Sequence, residues 1–172
     1  MQSPDDDTLA RWLPRSQSPV VHAIVLTAYG YWAGVVVGGV LRLGSFQKPL
    51  DGDPSFTPIT SEPPLYRIID GLLLAPIIES IMLIIFLEIV TALKLKAYLA
   101  AALGSALMCI LHYSHSPTIV WTFIHFPSFL LQGAAYFNWR ARSRKTAAGI
   151  MWGMHVLHNI VPSLAALRAF FG

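Results

Sequence analysis

Apolar residues fall along this chain in five long blocks, separated by polar or proline-rich breaks. The blocks run from Val20 to Leu43, from Ile68 to Leu93, from Ala97 to about His115-Ser116-Pro117, from Thr118 to about Trp139, and from Thr146 to the end, the last interrupted by Pro162. A run of roughly 18–20 apolar residues is what a helix needs to cross a bilayer. The pattern therefore predicts an all-α fold, a polytopic transmembrane helical bundle of about five spans. Residues 1–19 are polar and read as a short lead. Gly44 to Arg67, rich in proline and glycine and carrying Asp51, Asp53 and Glu62, reads as a loop that cannot stay helical. Residues 20–172 then form a single transmembrane helical domain, with no internal repeat and no soluble second domain.

Composition sharpens this picture. Of the 172 residues, 55% are hydrophobic and only 12% charged, about half the charged share of an ordinary soluble domain. The formal charge of +3 comes from basic residues at the ends of blocks, where they set topology. It does not describe a nucleic-acid surface. Arg140, Arg142, Arg144 and Lys145 separate the fourth and fifth blocks, and Lys94 and Lys96 separate the second and third. The positive-inside rule puts both connections, and the N-terminus beside Arg11 and Arg15, in the cytoplasm. The opening residues are acidic rather than basic, unlike a cleavable signal. Cys109 is the only cysteine, so no intrachain disulfide forms, and it reads as a small buried apolar side chain. Gly34 and Gly38 in the first block allow a close helix approach, expected within the monomer.

Within the apolar blocks a few polar residues stand out. Glu79, in Ala75-Pro76-Ile77-Ile78-Glu79-Ser80, sits in the middle of the second block, where an ionisable group is costly and survives mostly with a function or a partner. Glu88 lies nine residues on, about 180° around the helix, so the two carboxylates cannot share a site. It is close enough to Lys94 to reach the cytoplasmic surface as an interfacial residue. His22 reads as interfacial too. His112 and His115 end the third block and His125 lies in the fourth. In the fifth, His155 and Asn159 stand four residues apart on one face, with His158 close beside them. At about 1.5 Å per residue from the cytoplasmic ends, Glu79 lies roughly 21 Å deep, His112 roughly 22 Å, Asn159 roughly 20 Å and His155 roughly 14 Å. Such a layer can activate water against an amide, hold a divalent metal, or relay protons in a transporter. Spacing alone leaves all three open.

The residues resemble a family. Pro76-Ile-Ile-Glu79, the segment Gly104 to His112, Gly133 to Arg140 with the basic residues after it, and His155-Val-Leu-His158-Asn159 are similar, in order, to the motifs of the CPBP intramembrane proteases (CAAX prenyl protease type II, bacteriocin-processing and abortive-infection proteins). The likeness covers roughly residues 70–162. It implies a multi-pass protein of a bacterial inner membrane that cleaves a membrane-anchored or lipidated protein or peptide precursor. Its catalytic set would be Glu79 as the base on water, His112 as its helper, and His155 and Asn159 as oxyanion donors. No cofactor is needed for that mechanism. Some descriptions of the family invoke a divalent metal such as zinc instead. The chain departs from the pattern at Ser80 and Ile84, where the family has a second glutamate and an arginine, and at Met108, where phenylalanine is usual. Losing both charges together strands neither. The alternatives are a non-catalytic family member that binds a partner in maturation or immunity, and a small ion transporter. The sequence is silent on oligomeric state.

Overall fold

The computed structural model describes residues 18–43, 64–113 and 123–171. The polar lead before residue 18, most of the loop from Gly44 to Arg67, and the turn holding His115 lie outside the described residues. Helix α1 spans Pro19–Leu43. Helix α2 starts as Pro64–Ile69, passes through a π-helical stretch at Asp70–Leu74, and continues as Ala75–Ala92. Helices α3, α4 and α5 are Ala97–Tyr113, Phe126–Arg140 and Arg144–Phe171. The described residues form no strand. The fold is all-α, as the hydrophobic pattern predicts.

Local chemistry sets the helix ends. Ser18 caps α1 through Oγ to the Val21 amide, with Pro19 at the first helical position, where no N–H is needed. Ser143 does the same for α5, accepting from the Thr146 amide at 3.2 Å. The α2–α3 turn closes α2 as a Schellman motif. Lys94 N–H donates to Thr91 O, Leu95 N–H donates to Val90 O, and Lys94 takes the left-handed φ of 61° between them.

One expected break is absent. Helix α5 runs through Pro162 without interruption, so that proline does not divide it into half-spans. Pro76 is accommodated differently. Proline has no N–H for a bond to residue 72 and its ring crowds that carbonyl. The π-helical stretch just before it widens the turn, and the Ala75 N–H reaches back five residues to Asp70 O.

Helix α4 lies at the centre. It packs against α1, α3 and α5 and touches α2, and Ser128, Phe129, Gln132 to Tyr136 and Trp139 are all buried. Small residues permit this. A Cβ on Gly34 of α1 would stand 2.7 Å from the backbone oxygen of Ile124, and one on Gly133 of α4 would stand 3.1 Å from Ala101 Cβ of α3. The glycine approach on α1 is thus within the monomer. Three hydroxyls are satisfied inside their own helices: Thr27 donates to Ala23 O, Thr91 to Leu87 O and Ser105 to Ala101 O.

The outside is apolar where a soluble monomer is polar. Trp32 is 71% exposed and Ile110 67%, and Val36, Val40, Ile78, Ile81, Ile85 and Ile89 also face outward. Two helical stretches, Pro19–Leu41 and Asp70–Ala92, are long and apolar enough to cross a membrane, and Ala97–His112 is apolar but shorter. Helix α4, about 22 Å long, is covered on its flanks by the others.

Two polar residues read as interfacial each contact a neighbouring helix. His22 is buried, its ring edge-on to Trp139 at 5.9 Å. Glu88 is held by a clamp from α4. Arg140 donates from Nε to Oε1 at 2.7 Å and from Nη2 to Oε2 at 2.9 Å, and the Tyr136 hydroxyl also donates to Oε1. Tyr136 and Arg140 are four residues apart, so one face of α4 presents both. Arg144 Nη2 stands 3.7 Å from Oε2. Glu88→Gln should therefore lower unfolding stability in detergent by about 1.5–3 kcal/mol, the range of hydrogen bonds to a charged group. A double-mutant cycle with Arg140→Met should show most of that loss as coupling. Additive losses would mean the clamp contributes nothing.

Candidate functional site

Three helices bring three of the sequence-derived residues together. Glu79 of α2 extends its Oε2 between two imidazoles, 3.4 Å from His112 Nε2 of α3 and 3.3 Å from His155 Nε2 of α5. His155 is almost fully buried, and Glu79 and His112 keep about a fifth to a quarter of their side chains exposed (21% and 27%). Phe129 of α4 packs against both rings, 5.3 Å from His112 and edge-on to His155 at 5.6 Å. It fixes the imidazole planes without competing for their nitrogens.

The hydrogen-bond bookkeeping of this group is specific. His112 Nδ1 lies 2.9 Å from Met108 O. A carbonyl only accepts, so Nδ1 carries the hydrogen. A neutral His112 then turns a lone pair at Nε2 toward the Glu79 carboxyl. Two lone pairs at 3.4 Å repel, so the contact is favourable when a proton lies on one partner, as carboxylic acid or as imidazolium. Neither imidazole is aligned for a hydrogen bond to Glu79 Oε2, and among the described residues no other group donates to that buried oxygen. A carboxylate oxygen with no committed donor, beside a histidine that can share its proton, has the make-up of a general base.

Asn159 stands one turn along α5 from His155, and its Nδ2 donates to the backbone oxygen of Gly71 at 2.8 Å. Gly71 is in the π-helical stretch, so Asn159 ties α5 to the part of α2 that leads into Glu79. Its contact in the structure is with that carbonyl.

A second polar group adjoins the first. His158 Nε2 and His125 Nδ1 are 3.1 Å apart, and His158 Nδ1 is 3.2 Å from Ser128 Oγ. The His125 ring lies 5.6 Å from that of His112. His155 and His158 thus face different neighbours. Ser128, Phe129 and Gly71 are absent from the sequence-derived set. His125, which could reach the same layer from the fourth block, pointed to α4, and Ser128 and Phe129 stand at i+3 and i+4 from it.

Among the described residues, no three His, Cys, Asp or Glu side chains are arranged to hold a metal ion. The arrangement can exchange a proton between a carboxyl and an imidazole inside an apolar bundle. Comparison with family models, with curated proteins and with solved structures finds no match to this chain.

Proposed function

We propose that this chain is a multi-pass membrane protein with about five spans and a cytoplasmic N-terminus, acting in a bacterial inner membrane as an intramembrane endopeptidase of the CPBP type. The observation that carries this reading is the convergence of Glu79, His112 and His155 from three helices, inside a bundle whose outer surface is apolar. Glu79 draws a proton from water as the oxygen adds to the substrate carbonyl, and His112 Nε2 shares that proton. His155 steadies the charge that develops. Asn159 donates one amide hydrogen to Gly71 O, and its second is the oxyanion donor. The substrate is a membrane-anchored or lipidated protein or peptide precursor cut near the bilayer surface.

A second reading is a non-catalytic relative that binds a partner. Ser80 favours it, because this residue next to Glu79 is buried and cannot replace a carboxylate. The transporter reading loses one of its supports, since α5 is unbroken at Pro162. One experiment separates the first two. Membrane proteins that accumulate uncut in a strain carrying only Glu79→Gln, and are cut when the wild-type chain is restored, establish proteolysis. An unchanged membrane proteome would favour the binding reading.

A further inference from the structure

We infer that His125 and His158, braced by Ser128, form a proton store that takes up and returns the proton Glu79 draws from water. This inference rests on Glu79 acting as the base.

The geometry supplies a site for one extra proton. The 3.1 Å contact between His158 Nε2 and His125 Nδ1 holds a single hydrogen, donated by either ring. When the pair is neutral, two arrangements keep both hydrogen bonds. Ser128 can donate to His158, which donates to His125, or each bond can run in reverse. When a proton is added, His158 donates from Nδ1 to Ser128 Oγ in every arrangement that keeps both bonds, His125 carries a hydrogen on Nε2, and the hydrogen between His158 Nε2 and His125 Nδ1 sits on either ring. The serine hydroxyl is what makes the charged form tenable, because it accepts a hydrogen that would otherwise point into apolar packing.

The store is partly covered, with both histidines half-buried. Ser128 is buried, and Tyr31 lies over His158 at 5.2 Å between ring centres. The same packing excludes Ser128 as a nucleophile, since a Cβ on Gly30 of α1 would meet its Oγ at 3.0 Å. No substrate carbonyl can approach past the α1 backbone.

The step balances without a further reactant. A water O–H bond breaks, its proton passing to Glu79 Oε2 while its oxygen bonds to the carbonyl carbon. The proton moves to His112 Nε2, and His112 keeps its Nδ1 hydrogen on Met108 O. From His112 it passes to the His125–His158 pair, whose nearer ring is 5.6 Å from the His112 ring. On the return path it reaches the amide nitrogen as the C–N bond breaks. Glu79 is then an anion again and the pair is neutral.

The test uses the full chain in detergent micelles with a cleavable membrane substrate. His158→Ala should lower kcat on the order of a hundredfold with KM unchanged, a loss typical of removed proton-transfer catalysis. Added imidazole should restore much of that turnover, whereas Glu79→Gln should stay inactive with or without it. Ser128→Ala should reduce kcat less and Ser128→Thr should recover it. Nitrogen-15 spectra of histidine-labelled wild-type protein should show one N–H shared between His125 and His158, lost in His158→Gln. This readout needs no substrate. If wild type cleaves nothing, the protease reading fails alone and the shared N–H still tests the pair. Full turnover in folded His158→Ala, a loss that imidazole does not rescue, or no shared N–H in wild type would each overturn the store.

Discussion

Glu79→Gln is expected to leave the bundle folded and to abolish cleavage. Glutamine keeps the length and shape of the side chain, and no aligned hydrogen bond to Glu79 Oε2 among the described residues is lost on substitution. The change removes basicity. An amide oxygen does not take a proton from water, and it cannot pass one to His112 Nε2 at 3.4 Å. General-base catalysis supplies about 10²–10⁴ in rate, roughly 3–5 kcal/mol of barrier. Glu88 cannot stand in, because it is bound to Arg140 and Tyr136 on α4. Unfolding of the variant in detergent should match wild type while a co-expressed substrate stays uncut. Undiminished cleavage in Glu79→Gln would dispose of Glu79 as the base.

Gly34→Ala is expected to be among the most damaging single substitutions outside the site, and Gly39→Ala, five residues along the same helix, to stabilise. A Cβ at position 34 would sit 2.7 Å from the main-chain oxygen of Ile124. That atom belongs to the segment that leads into His125, so no side-chain rotation relieves the clash. Helix α1 or the start of α4 must move, at a cost of about 1–3 kcal/mol, as for other overpacked sites. At Gly39 nothing lies within 4 Å of the added carbon, and alanine gains up to about 1 kcal/mol of helix propensity. Because Ser128 and Phe129 follow Ile124 on α4, Gly34→Ala should also weaken activity, whereas Gly39→Ala should not. Thermal unfolding of the two variants side by side checks the prediction. Equal stabilities would show that the α1–α4 contact can relax.

The helices were legible because each hydrophobic block is long and ended by charge or proline. Their edges were less so. The fourth block begins at Thr118 by hydropathy, a start that lies outside the described residues, and the helix that forms the core spans Phe126–Arg140, with Pro127 in its first turn. Pro162 read as a break, but α5 continues through it. Of the site, the meeting of Glu79, His112 and His155 followed from phase and depth, because straight helices of known rise carry side chains to calculable heights. The partner of Asn159 could not be found that way. It is a backbone carbonyl in a stretch whose helical period changes, and hydropathy does not register a change of period. The partners of Glu88 were hidden for a related reason. Its distance from Lys94 is visible in one helix, while the Tyr136–Arg140 clamp depends on which helix packs alongside.

That change of period at Asp70–Leu74 has the form of a one-residue insertion in an otherwise regular helix. Without the extra residue the stretch would close as ordinary α-helix, and Pro64–Ile69 would turn by about 100° and draw in by about 1.5 Å relative to Glu79. The Gly71 carbonyl would then point away from Asn159. A relative that lacked the extra residue would therefore carry a different register upstream of the glutamate. An alignment forced through residues 64–74 without a gap would compare faces about 100° apart on the same helix.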